Sequence, residues 1–195
     1  EIPYKNTLKK DFRNKYSIPE DSFIWLMSGL KCYGKGYDLV PQICNFLKNH
    51  ESYLVWLGGS RNFAINQWVN PSKIENLIEP GMLNGDDYQN VFNSADGFVL
   101  TSRADSFPLV MIEAASFGLP IVAFNSGGVS EFVEEGMGQI VKNFDIDMLF
   151  SAMQDIMDGK TIVNKQKAMD KAQEFDVRLK VKDWEKLIER IIMDS

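Results

Sequence analysis

Short apolar runs alternate with segments of helical periodicity along most of this chain, and this alternation limits its fold more than any other feature. Continuous apolar runs of four to eight residues are typical of strands buried on both faces, as in parallel sheets. Buried strands that are joined by helical crossovers form a parallel sheet with helices on both sides. The predicted strands are residues 23–29, 52–59, 74–81, 97–102, 120–125 and 138–141.

The segments between these runs carry apolar residues at helical spacing. We therefore expect an α/β fold: a doubly wound, Rossmann-like parallel sheet of about six strands with helices on both faces and further helices at the C-terminus. In such sheets ligands bind beyond the carboxyl ends of the strands, so the loops that follow the strands are the expected place of function. The predicted helices are residues 5–16, 38–50, 64–70, 85–96, 108–117, a turn and helix over 127–136, 145–159, 161–175 and 177–193.

Composition narrows the class of protein. With 195 residues, 45% of them hydrophobic, the chain is long enough to form one globular domain with its own core. Its net charge of −6, with no stripe of Lys and Arg, argues against nucleic acid as the main partner. The most basic stretch, residues 5–16, is read as a solvated amphipathic helix.

Cysteine and histidine are scarce. Cys32 and Cys44 are too few for a disulfide framework or a metal cluster, and reduced thiols in the cytosol are expected. The single histidine, His50, is expected just past a helix end, so chemistry that needs a Ser/His pair or a metal–His site is disfavoured. No signal peptide or run of membrane-spanning length is visible, and because the chain starts at Glu1 we expect an excised piece.

Two carboxylates flank an apolar segment in "RADSFPLVMIEAASFGLP", residues 103–120. Ser106 is the expected N-cap of a helix that begins at about Pro108, and Gly118 is its expected C′ residue. The first-turn N–H groups of Phe107, Leu109 and Val110 then form an anion site at the carboxyl edge of the sheet.

Asp105 precedes that helix, and Glu113 lies one turn inside it. Carboxylates suit the vicinal hydroxyls of a ribose or a hexose. Alternatively, Asp105 acts as a cap and Glu113 pairs with a Lys or Arg. Spacing alone favours neither interpretation.

Two other loops favour a phosphate ligand. In "SGLKCYGKGYD", Gly29, Gly34 and Gly36 allow close backbone approach and Lys35 supplies positive charge, although an ordinary glycine-rich turn with a solvated lysine has the same composition. Neither a Walker loop nor G-x-G-x-x-G is present, so a dehydrogenase is disfavoured. The loop after the fifth strand, "NSGGVSE", offers a tight turn and a helix start through Gly127, Gly128 and Glu131.

Taken in order, "SGLKCYGKG", the segment from "GFVLTSRADSFPLVMIEAASFGLP" to "GGVSEFVEEG", and "GQIV" closely resemble the donor-binding C-terminal domain of family 4 retaining glycosyltransferases of GT-B fold. The resemblance covers about residues 20 to 160. It implies one Rossmann-like nucleotide-sugar-binding domain over residues 1–195, the C-terminal half of a larger enzyme whose N-terminal acceptor-binding domain is absent. Alone, the chain is expected to bind nucleotide weakly and to transfer nothing.

The resemblance also implies roles for particular residues. Asp105 falls where the family contacts the transferred sugar, Glu113 where it binds the ribose hydroxyls, and Lys35 where it neutralises the leaving diphosphate. These three are the implied catalytic residues. No cofactor and no metal are implied. The implied donor-binding residues are Gly29, Lys35, Glu79 and Pro80 beside the nucleobase, Ser106, Phe107, Pro108, Leu109, Val110 and Glu113, with Glu131 shaping the loop beneath.

Two positions depart from the family pattern. The family usually has Glu where this chain has Asp105, and a Gly-Arg pair where it has Gly29 and Leu30. Lys31 is the neighbouring cation that would have to reach across in place of that arginine.

The implied location is the cytoplasm, with peripheral contact to the inner face of a membrane through the absent half as a second option. Alternatives are a non-catalytic nucleotide-sugar-binding module, a sugar-nucleotide epimerase of the same fold and, last, a receiver-like signalling domain. For the C-terminal helices, with Trp184, Leu187, Ile188, Ile191 and Ile192, packing against the absent domain and packing on this domain's own sheet are equally open.

Overall fold

The structure, a computed structural model, describes residues 6–59 and 69–193. Six parallel strands form one sheet in the order β3-β2-β1-β4-β5-β6. This is the predicted doubly wound arrangement, in which the chain moves outward from β1 and then returns to its other side at β4. The strands are β1 (Ile24–Ser28), β2 (Tyr53–Leu57), β3 (Leu77–Gly81), β4 (Gly97–Leu100), β5 (Ile121–Phe124) and β6 (Gly138–Val141).

Eight α-helices accompany the sheet in the described part of the chain. Two short 3-10 turns, Tyr33–Lys35 and Tyr37–Leu39, lead from β1 into α2. The helices are α1 (Asn6–Lys15), α2 (Val40–Lys48), α3 (Gly85–Ser94), α4 (Leu109–Ser116), α5 (Val129–Phe132), α6 (Ile146–Met157), α7 (Lys165–Gln173) and α8 (Val177–Met193).

Alternate strand residues face two separate cores, one on each side of the sheet. Ile24 and Leu26 of β1 join the core beneath α3, α4 and α7, whereas Trp25 and Met27 join the core beneath α2 and α6. Both faces of the strand are therefore apolar, which is why its sequence reads as a continuous apolar run.

Several predicted boundaries are corrected. The segment 127–136 contains only the four-residue helix α5, because Val133 is extended and a turn follows; Gly136, with φ of +84°, lies in that turn and is not the C′ residue. The segment 161–175 begins as loop, and α7 starts after the cap Asn164. Most of the predicted helix 64–70 lies outside the described residues, and residues 69–70 are irregular.

The basic N-terminal helix is not simply solvated. Arg13 is buried, and its Nη2 lies 2.9 Å from Oδ2 of Asp96 while its Nη1 donates to the carbonyls of Pro19 and Ser22. Asp96 also accepts from the N–H of Ile24 at 3.0 Å. This arginine therefore fixes α1 to the sheet through charge-assisted hydrogen bonds of its two Nη atoms.

The last helix stands apart from the core. None of the described residues of α8 is buried, and Trp184 is 65% exposed. Packing of α8 on this domain's own sheet, one of the two predicted alternatives, is therefore wrong. The exposed apolar residues of this helix are Val177, Leu179, Val181, Trp184, Leu187, Ile188, Ile191, Ile192 and Met193.

Candidate functional site

The loops that follow β1 and β4 are joined by a charged clamp. Both guanidinium Nη atoms of Arg103 contact the Asp38 carboxylate, at 2.7 and 2.9 Å, and Nη1 also donates to the carbonyl of Tyr33 at 2.7 Å. The Asp38 carboxylate accordingly raises the pKa of Arg103 further above its ordinary value. Sequence reasoning missed this pair, whose only signal was a pair of opposite charges in loops after adjacent strands.

A close backbone contact also joins these two loops. The Thr101 hydroxyl donates to the carbonyl of Lys35 at 2.8 Å. Gly36 has φ of +77°, and a Cβ built on it would lie 2.3 Å from Thr101 Oγ1. The missing side chain of Gly36 therefore serves the packing of one loop on the other, where the sequence suggested close approach to a ligand.

Lys35 and Asp105 meet at the junction of the loops. The Lys35 ammonium forms an ion pair with Oδ2 of Asp105, and the two side chains keep 29% and 18% of their surface exposed. The aliphatic part of Lys35 lies along Gly29, where a Cβ would be 3.7 Å from its Cδ. Three predicted site residues are thus adjacent, and the ion pair remains open to solvent.

Glu113 is exposed and points to the same edge of the sheet. Its Oε2 accepts a 2.6 Å hydrogen bond from the hydroxyl of Tyr88 on α3. The Ser28 side chain at the end of β1 lies near the Tyr88 hydroxyl, where it acts to lower the pKa of Tyr88. No Lys or Arg in the described parts of the chain pairs with Glu113, so the structure does not bear out the alternative in which this carboxylate serves an ion pair.

These contacts bring the predicted carboxylates to one place. Tyr88 lies near Ser28, Ser28 directly precedes Gly29, and Gly29 lies against the side chain of Lys35, which pairs with Asp105. The chain of contacts runs along the β1–β4 junction, where the order of strands reverses. Open sheets of this kind bind ligands at that point.

Helix α4 begins at this junction. Pro108, with φ of −69° and ψ of 102°, occupies the N-cap position, so the helix begins at Leu109, one residue later than predicted. Ser106 is not the N-cap; its carbonyl accepts instead from the N–H of Gly128 at 2.8 Å. Leu109 is 68% exposed, so the first-turn N–H groups, including that of Val110, begin at an accessible end of the helix.

The ring of Phe107 turns away from this edge. It stacks on Phe175 with ring centroids 5.5 Å apart and packs edge-on against Phe132 at 6.4 Å. Only the backbone of Phe107 is therefore left to face a ligand.

Two glycines support the loop from below. A Cβ on Gly127 would lie 1.7 Å from the carbonyl oxygen of Asp105, and one on Gly128 would lie 2.2 Å from the Phe107 ring. Because they lack a side chain, these glycines allow the loop that carries Asp105 to pack closely against the loop after β5. Glu131, on α5 just beyond them, is exposed.

The side chain of Glu79 is already engaged. Its Oε2 lies 2.9 Å from the Lys31 ammonium, and its Oε1 accepts from the Tyr37 hydroxyl at 2.8 Å. Burial, reinforced by this hydrogen bond, raises the pKa of Tyr37 well above its ordinary value. Lys31 is held by Glu79, while Leu30 beside it is 43% exposed. Pro80 follows on the same strand and is half-buried.

Other site types find little support in the residues that the structure describes. They contain no group of three or more His, Cys, Asp or Glu side chains placed to hold a metal ion. Within these same residues, no helix has the length and apolar character needed to cross a membrane. A cavity of about 540 Å³ lies at the amino edge of the sheet, lined in part by His50, Ser52 and Asn76, and contains none of the predicted site residues.

Curated relatives are glycosyltransferases. An uncharacterized glycosyltransferase of Methanocaldococcus jannaschii is 27% identical over 135 residues, which cover 68% of this chain and 35% of that protein. A D-inositol 3-phosphate glycosyltransferase of Paenarthrobacter aurescens is 25% identical over 162 residues, covering 78% of this chain and 40% of that protein. The chain thus spans less than half the length of these relatives.

Solved structures share the fold. Sucrose-phosphate synthase from Thermosynechococcus elongatus superposes with a TM-score of 0.79 at 23% identity, over 100% of this chain and 53% of that one. HepE of Anabaena, in complex with UDP-glucose, superposes with a TM-score of 0.77 at 19% identity, over 95% and 53%. These likenesses confirm the predicted Rossmann-like fold.

The sequence profile of one family covers most of the chain. It is described as "Glycosyl transferases group 1" and matches residues 9–174. This match confirms the resemblance seen in the sequence: the chain belongs to the group 1 glycosyl transferases.

Proposed function

We propose that this chain is the donor-binding part of a glycosyltransferase that transfers a sugar from a nucleoside-diphosphate sugar to an acceptor, with retention of the anomeric configuration. The observation that carries the proposal is the joint placement, at the β1–β4 junction, of the Lys35–Asp105 ion pair and the exposed Glu113 carboxylate. A cation, a helix N-terminus and two carboxylates match the three parts of such a donor: diphosphate, sugar and ribose.

Each part of the donor has a proposed partner. The diphosphate lies at the N-terminus of α4, near the N–H groups of Leu109 and Val110, with Lys35 beside it. Glu113 accepts from the ribose hydroxyls and Asp105 from a hydroxyl of the transferred sugar. The backbone at Ser106, Phe107 and Pro108 faces the sugar, Gly29 leaves room beside the phosphates, and Glu79 and Pro80 line the nucleobase.

The reaction breaks the bond between the anomeric carbon and the diphosphate oxygen. The bonding electrons leave with the diphosphate, and the acceptor hydroxyl forms the new bond as its proton passes to the departing diphosphate oxygen. Lys35 and the α4 N-terminus stabilise the negative charge where it grows, which is usually the largest electrostatic contribution to such a reaction. We propose that these groups act without a resident metal, so a chelator should leave transfer by the full-length protein unchanged.

The acceptor is proposed to bind to a further domain. The chain covers 35% and 40% of the two curated relatives, which leaves room for a second domain in proteins of that size. We propose that residues 1–195 form one nucleotide-sugar-binding domain that binds donor alone and transfers nothing without its partner domain. The proposed location is the cytoplasm.

A non-catalytic nucleotide-sugar-binding module is the second candidate. One observation favours it: Leu30 lies where the resembled family has an arginine, and the neighbouring Lys31 is held by Glu79. Transfer or donor hydrolysis by the full-length protein would exclude this candidate.

Thermal unfolding with a panel of UDP-, GDP-, ADP- and dTDP-sugars tests the proposal. At about a hundred times Kd, a ligand stabilises the native state by about 2.7 kcal/mol, which corresponds to a rise in Tm of roughly 5–10 °C. We expect one base to give this shift and Glu113→Ala to abolish it. Glu75→Ala is the control, because Glu75 is an exposed carboxylate just before the amino end of β3, whereas the proposed site lies at the carboxyl ends of the strands. Absence of any shift at millimolar ligand would overturn the proposal.

A further inference from the structure

Tyr88 connects helix α3 to the carboxylate that is proposed to bind ribose. Its hydroxyl donates to Oε2 of Glu113 at 2.6 Å. We propose that Tyr88 is a positioning residue that holds the Glu113 carboxylate in the orientation required by the ribose hydroxyls of the bound nucleotide. This inference rests on the proposed function and adds a residue to its site.

The position of the Tyr88 ring is fixed by the core. It packs against Phe92, with ring centroids 5.0 Å apart, and Phe92 is fully buried and stacks on Phe117 at 5.3 Å. A half-buried ring held in this way places its hydroxyl at one point at the edge of the sheet.

Glu113 needs such a partner because nothing else in the described structure orients its carboxylate. The residue is exposed on α4, and no Lys or Arg of the described chain pairs with it. An exposed Glu side chain has several rotamers of similar energy, so ordering it costs free energy when a ligand binds. A hydrogen bond from a fixed phenol orders it in advance.

The arrangement leaves the carboxylate able to bind. An ionised carboxylate has about four acceptor positions on its two oxygens, and the Tyr88 hydroxyl occupies one of those on Oε2. Oε1 and the remaining positions stay available for two vicinal hydroxyls. Burial, together with the hydrogen bond to Glu113, raises the pKa of Tyr88 well above its ordinary value, so the hydroxyl stays a donor at physiological pH.

The test separates positioning from packing by removing one hydroxyl from the protein and one from the ligand. Calorimetric titration of the 195-residue chain uses three pairs of nucleotides: UDP and 2′-deoxy-UDP, GDP and 2′-deoxy-GDP, ADP and 2′-deoxy-ADP. The pair whose ribonucleotide binds most tightly is then titrated into Tyr88→Phe, Glu113→Gln and the double variant. Tyr53→Phe is the matched control, because Tyr53 opens β2 at the opposite edge of the sheet.

We expect Tyr88→Phe to weaken binding of the ribonucleotide by about tenfold, the usual size for a lost hydrogen bond to a charged group. Binding of the 2′-deoxynucleotide should weaken by a clearly smaller factor, because only its 3′ hydroxyl remains to bind the carboxylate. The double variant should bind no more weakly than Glu113→Gln, because Tyr88 acts through that carboxylate. Tyr53→Phe should bind like the unaltered chain.

An equal loss for both nucleotides of the pair would assign Tyr88 a packing role and overturn the inference, as would unchanged binding by Tyr88→Phe. A failure of the unaltered chain to bind any of the six nucleotides or dTDP is a different result, since it overturns the proposed function itself. Overlapping far-ultraviolet circular dichroism spectra show that Tyr88→Phe is folded.

Discussion

Lys35 and Asp105 form an ion pair although they are 70 residues apart in the sequence and belong to loops after different strands. The pair exists because β1 and β4 are neighbours at the point where the strand order reverses. Without ligand the two charges satisfy each other. An anionic ligand that approached Lys35 would therefore compete with Asp105 for the same ammonium group.

Replacing Lys35 by Met should weaken binding of a nucleoside diphosphate by about tenfold and binding of the corresponding monophosphate by much less, because the charge is proposed to sit beside both phosphates. Calorimetric titration measures both affinities. Lys48→Met is the control, since Lys48 pairs with Glu75 in solvent. Equal losses for the two nucleotides would contradict the proposed position of Lys35.

The clamp between Arg103 and Asp38 should hold the two site loops together. Arg103→Ala removes both contacts to the carboxylate and the one to the carbonyl of Tyr33, and we expect the free energy of unfolding to fall by about 1–2 kcal/mol. Arg103→Lys should restore less than half of this, because an ammonium lacks the planar fork. Urea denaturation measures the change, and Lys48→Ala should cost no more than about 0.5 kcal/mol. Full rescue by lysine would show that charge alone matters.

Gly127 should resist substitution because of space as well as backbone conformation. Its φ is +52°, and a Cβ would lie 1.7 Å from the carbonyl oxygen of Asp105. Gly159 has a similar φ of +67° but nothing within 4 Å of a Cβ. We expect Gly159→Ala to cost about 1–2 kcal/mol for the left-handed conformation alone, and Gly127→Ala at least about 3 kcal/mol, from denaturation curves. Equal costs for the two substitutions would mean that the loop carrying Asp105 shifts easily to make room for the Cβ at position 127.

Cys44 should make stability fall in alkaline solution. Burial, with a smaller effect of the Glu79 charge, raises the pKa of its thiol from 9.0 to about 12. Above pH 9 the unfolded chain loses this proton while the native chain keeps it, so the contribution is complete below pH 9 and is lost as pH rises toward 12. Between pH 9 and 10 the unaltered chain should lose about 1 kcal/mol more than Cys44→Ala, measured by urea denaturation.

The pKa values of Tyr37 and Tyr88 are also raised in the native state. The stability of Cys44→Ala should therefore still fall as pH rises, but less steeply than that of the unaltered chain. If the free energy of unfolding of the two proteins had the same pH dependence, the raised pKa of the Cys44 thiol would be contradicted.

Truncation of two tryptophans should change the free energy of unfolding by very different amounts. Trp25 is fully buried, and Trp25→Ala should lower the free energy of unfolding by about 3–5 kcal/mol. Trp184 on α8 is 65% exposed, so Trp184→Ala should change the free energy of unfolding by less than about 0.5 kcal/mol. A large cost at Trp184 would mean that α8 packs on this domain after all.

The four central strands β1, β2, β4 and β5 could be predicted because both of their faces are buried, and apolar runs reveal this directly. The helix start at Pro108 was displaced by one residue because Ser106 is used in another way: its carbonyl accepts from Gly128 in the loop after β5. That contact depends on tertiary packing, which no local capping rule contains. The shortness of α5 has the same origin, since the chain turns at residues 134–137 to begin β6.

The candidate site was predicted in part. Lys35, Asp105 and Glu113 follow from motifs in single loops, and the structure places them at one edge. Tyr88 is 25 residues from its partner Glu113. In the sequence it is simply a tyrosine on an amphipathic helix, and no pattern marks its hydroxyl as part of the site. Arg103 is likewise 65 residues from Asp38. Contacts of this length arise from the strand order and carry no local pattern.

The reversal of strand order at β1 and β4 also divides the proposed site between two halves of the chain. The segment before α3 supplies the lysine, and the segment after it supplies the aspartate and the helix N-terminus. Neither half carries a complete pocket, so a nucleotide that binds both halves must stabilise their association. Partial unfolding of either half would release the ligand, and ligand binding would therefore require both halves of the sheet to be folded.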